Sequence, residues 1–162
     1  MKDTILVSVG TQKFPLDRLL KRVDELIESG VITQEVFAQI GHSTYLPQHY
    51  EYTDFLGKEE FAKRVDECSL LITHSGVSTI MMGVRGGKPV VVFPRLAKYG
   101  EHVDDHQMEI AQSFSELNYV LLCNENDDLG ETIAAASAHD FATYTSQREG
   151  MIAEIRQFLE TI

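Results

Sequence analysis

The stretch that most constrains the fold is Leu70–Gln107, LLITHSGVSTIMMGVRGGKPVVVFPRLAKYGEHVDDHQ. Leu70–Thr73 is a short apolar strand, and His74-Ser75-Gly76 turns the chain. Val77–Arg85 fits a helix and stops at Gly86-Gly87. Pro89–Pro94 then bounds a β-branched run of Val90, Val91, Val92 and Phe93. Strand, turn, helix and strand make a βαβ unit, which builds parallel sheet covered on both faces. The turn sits at the carboxyl end of the first strand, where open parallel sheets bind ligands. Free N–H groups at Ser75–Ser78 and the positive end of the helix dipole suit a phosphate or another anion.

The remainder repeats that rhythm. Thr4–Val9 (TILVSV) reads as a central strand ending in a Gly10-Thr11 turn. Phe14–Glu28 spaces its apolar residues as a helix, with Pro15 in the first turn and Gly30 as the stop. Gln34–Ile40 and Tyr50–Asp54 predict strands, and Gly57–Asp66 a short helix. Asp104 is placed to cap the next helix, with Gln107 at its third position. Tyr119–Cys123 predicts the last strand. Asp128 caps a helix over Leu129–Ala138, and Thr145–Ile162 predicts a terminal amphipathic helix. The expected fold is α/β: a single Rossmann-like, three-layer domain over residues 1–162 with a mostly parallel sheet.

Charge narrows the function classes. The chain has 14 basic and 25 acidic residues, a formal net charge of −11. That disfavours general nucleic-acid binding and direct adsorption to anionic lipid. No apolar run approaches the ~18–20 residues of a membrane span. The beginning of the chain reads as a strand rather than a signal peptide. Cys68 and Cys123 have neither metal-site spacing nor a disulfide pattern, so a reducing, cytoplasmic setting is the expectation. No metal and no cofactor are expected.

Candidate chemistry gathers at the turns. VGTQKF after the first strand is not a GxGxxG fingerprint, and no P-loop follows. At the second turn Ser75 and Ser78 offer hydroxyls, and Gly76 permits close approach of a ligand. Ser75 either meets an anion or caps the helix. His74 donates to phosphate, acts as a base or orients the turn, but no third residue completes a Ser–His–acid arrangement. Arg95 and Lys98 either offset ligand charge or form surface ion pairs. Glu101, His102, Asp104, Asp105, His106 and Gln107 crowd seven positions without the spacing of HExxH. Gln107, neutral and both donor and acceptor, suits sugar hydroxyls or a solvated helix start.

Five segments carry a resemblance: ILVSVGTQKFPLDRLL, QIGHSTYLPQHYEYTDFL, ITHSGVSTI, GGKPVVVFPR and YGEHVDDHQMEIA. In this order and spacing they resemble the C-terminal, donor-binding half of GT-B glycosyltransferases of the family 28 C-terminal type. The small split subunits of the Alg13 type and the bacterial PssE/EpsF-like exopolysaccharide type are the most similar. The resemblance implies a UDP-sugar-binding subunit of a two-component glycosyltransferase. It would transfer a hexosyl or hexuronosyl residue to a polyprenyl-diphosphate-linked sugar in capsule or exopolysaccharide synthesis. An Alg14-like, membrane-associated partner would supply the other half and recruit the chain to the inner face of the cell membrane.

Carried onto this chain, Gly10 and Thr11 would lie near the interdomain cleft and the donor diphosphate. His74, Ser75, Gly76, Val77 and Ser78 would form the diphosphate turn. Phe93 and Arg95 would border the nucleotide pocket, and Asp105, His106 and Gln107 would approach the donor sugar. The base would lie on the partner half, with His74 as a secondary catalytic candidate. One position departs: Met82 stands where the family has a glutamate for the ribose hydroxyls. That departure supports an alternative, a non-catalytic enhancer that stabilises and activates the partner.

Overall fold

The structure, a computed structural model, describes residues 3–11, 13–102 and 104–144. The predicted helix over Thr145–Ile162 lies outside them. Six strands form one sheet: β1 (Thr4–Ser8), β2 (Glu35–Gln39), β3 (Glu51–Thr53), β4 (Leu70–Thr73), β5 (Val90–Val92) and β6 (Leu121–Leu122). Five α-helices are described: α1 (Asp17–Glu28), α2 (Lys58–Glu67), α3 (Val77–Arg85), α4 (His106–Glu116) and α5 (Leu129–Ala138). A single 3₁₀ turn over Ala97–Tyr99 interrupts the polar stretch after β5.

Apolar runs become central strands because both faces of the sheet are covered. Alternate residues of β1 serve opposite cores. Ile5 and Val7 pack with Leu19, Leu20 and Val23 of α1 and with Leu129 and Ile133 of α5. Leu6 packs with Val65 of α2, Ile80 and Val84 of α3, and Phe114 of α4. The same division separates Leu70 and Ile72 from Leu71, and Val91 from Val90 and Val92. The period of two along each strand thus generates three layers.

The strand order is β3-β2-β1-β4-β5-β6, and every pairing is parallel. From β1 the chain builds outward through β2 and β3, then returns to place β4 on the other side of β1. Ser8 and Thr73 are register partners at the carboxyl ends of that central pair. The direction of building reverses there, which leaves a crevice between the turns after β1 and β4.

Some boundaries differ from the sequence expectation. The first helix begins at Asp17 rather than Phe14. Its approach is taken up by side-chain bonds: Leu16 N–H donates to Ser43 Oγ at 3.0 Å, and the Phe14 carbonyl accepts from Arg95 at 3.0 Å. The last strand shrinks to Leu121–Leu122. Asp128 caps α5 as expected, accepting from Glu131 N–H at 3.1 Å. At α4 the expected Asp104–Gln107 cap does not form. Asp104 Oδ1 accepts from His106 N–H at 2.9 Å, while Gln107 turns into the protein and is buried.

Candidate functional site

The crevice is built by three turns, after β1, β4 and β5. The turn after β4 leads directly into α3. Gly76 is the N-cap residue of α3, and no side chain caps the helix. Ser75 therefore does not act as the cap. Its hydroxyl is buried and has no hydrogen-bond partner, as is the neighbouring Thr73 hydroxyl. A buried, unpaired hydroxyl costs about 1–3 kcal/mol. Here it stands beside the unsatisfied amides and positive dipole end of a helix, a combination that suits an anion.

His74 is the centre of a side-chain cluster. Its Nδ1 lies 2.9 Å from Arg95 Nη1 and 3.4 Å from Gln107 Nε2. The other edge of the ring lies against two glycines. A Cβ on Gly76 would fall 2.5 Å from Cε1 and 2.6 Å from Nε2, and one on Gly10 would fall 2.8 Å from Cε1. Only glycine leaves room for the imidazole at either place, and Gly10 also has φ of +77°. Burial, then the positive charge of Arg95, pushes His74 down to about 3 from the ordinary 6.5. The ring is neutral at physiological pH.

Arg95 is wholly buried. Its guanidinium donates to the carbonyls of Val9 and Phe14, and to that of Pro15 at 3.4 Å, besides meeting His74. Desolvation lowers it to about 10, opposed by the charge of Glu101. Its side chain thus ties the approach to α1 to the turn after β4. Gln107 joins the remaining turn: its Oε1 accepts from Arg95 N–H at 3.1 Å and Ser75 N–H at 3.4 Å.

The other sequence candidates occupy varied positions. Thr11 is exposed on the turn after β1, and Ser78 is exposed on the first turn of α3. Val77 is half-buried against the second core, as is Met82. Phe93 belongs to the first core, and the Arg18 guanidinium stacks 4.3 Å from its ring centroid. Asp105 Oδ1 accepts from Ala97 N–H at 2.9 Å. His106 Nδ1 lies 3.3 Å from Glu109 Oε2. Lys98 makes an exposed ion pair with Glu125. Burial raises both thiols, Cys123 to about 11, which suits inert core residues. Among the described residues, no group of three or more His, Cys, Asp and Glu side chains could hold a metal ion.

Two supporting pairs escaped sequence reasoning. Arg18 holds Glu101 through a bidentate pair of 3.1 and 3.0 Å, and Glu101 accepts from Leu96 N–H at 3.0 Å. This clamps the loop after β5 onto α1. Asp24, also buried, accepts from Tyr45 Oη at 2.5 Å and from Gln48 and His49 N–H, both at 2.9 Å. The visible signal for Asp24 was a charge inside the apolar stripe of α1.

The sequence model for the glycosyltransferase family 28 C-terminal domain matches residues 4–162. The chain belongs to this family. It is 31% identical over 110 residues to the UDP-N-acetylglucosamine transferase subunit ALG13 of Yarrowia lipolytica (strain CLIB 122 / E 150), covering 65% of this chain and 50% of that protein. Identity to the protein of the same name from Candida albicans (strain SC5314 / ATCC MYA-2876) is 34% over 59 residues, 36% of this chain and 19% of that one. The family 28 domain thus spans half the length, or less, of these relatives. An NMR solution structure of ALG13 superposes with a TM-score of 0.59 at 19% identity, covering 94% of this chain and 96% of that one. The MurG structure from Acinetobacter baumannii gives 0.59 at 16% identity, covering 97% of this chain and 50% of that one. The kitacinnamycin glycosyltransferase gives 0.62 at 19%, covering 99% of this chain and 39% of that one. The fold of this family 28 domain is that of the C-terminal half of GT-B glycosyltransferases.

Proposed function

We propose that this domain is the UDP-sugar-binding half of a two-component glycosyltransferase. The observation that carries the reading is the unpartnered Ser75 hydroxyl beside the uncapped start of α3, at the reversal point of the sheet. Family membership and the similarity to ALG13 support a nucleotide-sugar donor. The diphosphate would lie across Ser75, Gly76 and the first amides of α3, with Gly10 and Thr11 on the facing turn. Thr11, Asp105 and His106 would flank the entrance from which the sugar would project.

In the proposed reaction an acceptor hydroxyl oxygen forms a bond to the anomeric carbon. The bond from that carbon to the β-phosphate oxygen breaks, and its electron pair leaves with UDP. Helix amides and hydroxyls stabilise the growing diphosphate charge. The hydroxyl proton goes to a base on the partner half. Phe55, exposed at 46%, follows β3 at the same end of the sheet, and Leu46, exposed at 59%, lies on the loop from β2 to β3 that runs along α1. They are suited to meet an Alg14-like, membrane-associated subunit that recruits the domain to the inner membrane face. The acceptor would be a polyprenyl-diphosphate-linked sugar, in capsule or exopolysaccharide synthesis.

The decisive experiment is UDP titration of the full chain by calorimetry, beside transfer assays with the partner. Ser75→Ala should weaken UDP binding about tenfold, the worth of one hydrogen bond to a charged group, and slow transfer. Unchanged affinity would remove Ser75 from the site. A second reading rests on Met82, a thioether side chain packed on the core. It is an enhancer that binds the partner and leaves donor recognition to it, and assembly without any UDP affinity would select it.

A further inference from the structure

Two side chains address the same nitrogen of His74. Arg95 Nη1 is 2.9 Å from Nδ1, and a guanidinium has only donors to give. Nδ1 must therefore present its lone pair, which leaves the ring proton on Nε2. Gln107 fixes the same answer independently. Its Oε1 accepts from the backbone N–H groups of Ser75 and Arg95, so its amide NH₂ is the group 3.4 Å from Nδ1. The Nε2 edge faces the two glycines on either side of the crevice.

We infer that Arg95 and Gln107 are positioning residues that lock His74 as its Nε2–H tautomer, making the ring a neutral hydrogen-bond donor to the nucleoside diphosphate. The inference rests on the proposed function for the ligand but not for the tautomer. It gives His74 a binding part rather than that of a general base. Nδ1 is occupied by two donors, and Nε2 already carries its proton.

The surroundings oppose a second proton. Arg95 approaches from the loop after β5, and His102 from further along that loop adds a repulsive contribution. Gln107 on α4 is neutral and its hydrogen bond acts the other way, ranking after burial and Arg95, and the turns after β1 and β4 bring glycine against the ring. Glu101 is engaged by Arg18 and by Leu96 N–H. The donor therefore keeps its proton and its neutrality as pH changes, which a free histidine would not.

The test is long-range proton–nitrogen NMR of the ¹⁵N-labelled full chain, with His74→Gln to assign the ring among six histidines. A single Nε2–H tautomer that does not titrate between about pH 8 and about pH 5 supports the lock. An Nδ1–H ring, averaged tautomers or an ordinary midpoint overturns it. Adding UDP should shift the Nε2 signal. UDP binding that leaves the signal unmoved overturns the donor role. Absence of UDP binding overturns the proposed function and that role together, and is distinguishable because the tautomer spectrum needs no ligand. Arg95→Met combined with Gln107→Leu, which removes both donors to Nδ1, should average the tautomers and weaken UDP binding about tenfold. The wild-type spectrum decides the lock whether or not that variant folds.

Discussion

At the scale of single residues, polar side chains in the interior hold the turns in place. Arg95 is the largest of them, and its burial is tolerable because its donors meet carbonyls and an imidazole. His74 gives a pH prediction. It is held at about 3 in the folded chain against 6.5 ordinarily. The unfolded chain therefore binds the extra proton in that window, and His74 contributes stability above 6.5 that is lost as pH falls toward 3. Urea unfolding of the wild type and His74→Gln should show a stability difference that changes steadily below 6.5. A difference independent of pH would contradict the buried neutral ring. Asp24 gives a second prediction. Asp24→Asn leaves two backbone N–H donors and a phenol with a poorer acceptor, and should cost about 2 kcal/mol in urea unfolding. The same carboxylate first, and burial second, raises Tyr45 to about 12. Tyrosinate absorbance of the variant should show Tyr45 ionising at lower pH. An unmoved titration would show that the hydrogen bond is not the cause.

At the scale of elements, α3 is the part whose position decides the site. Its N-terminus carries the free amides, so its height above the sheet matters. Gly83 sets that height. A Cβ there would meet Val90 Cγ2 at 2.7 Å and Leu71 Cδ2 at 2.8 Å. A mid-helix glycine costs about 1 kcal/mol against alanine, and close packing on β4 and β5 offsets that cost. Gly83→Val should destabilise by about 1–3 kcal/mol through overpacking, with loss of UDP affinity as α3 is lifted. A urea midpoint equal to the wild type would refute the close approach. The βαβ unit containing α3 was legible because Leu70–Thr73 and Val90–Phe93 are uninterrupted apolar runs divided by a glycine-flanked helix. The start of α1 was less legible. Phe14 and Leu16 fit the helical spacing, but their backbone groups are engaged by Arg95 and Ser43, residues remote in sequence.

At the scale of the whole molecule, the sheet gathers the site at one end and leaves exposed apolar side chains on neighbouring loops. Leu46→Glu and Phe55→Glu should weaken association with the proposed partner subunit in co-purification while leaving the thermal midpoint within about 2 °C, as expected for exposed positions. Assembly equal to the wild type would move the partner surface elsewhere. The sequence by itself determined the βαβ rhythm, the parallel sheet and the turn that carries His74, Ser75 and Gly76. These follow from local periodicity and from glycines at fixed offsets, which a linear chain displays directly. Only the tertiary structure decided what the polar residues do. Arg95 reads in sequence as a ligand contact or a surface ion pair, and Gln107 as a sugar contact or a solvated helix start, and in the structure both are buried and bonded to turns 12 to 86 positions away. Hydrogen bonds of that kind depend on which turns the strand order brings side by side. The reversal between β1 and β4 brings Gly10 against His74, and no spacing along the chain records that contact.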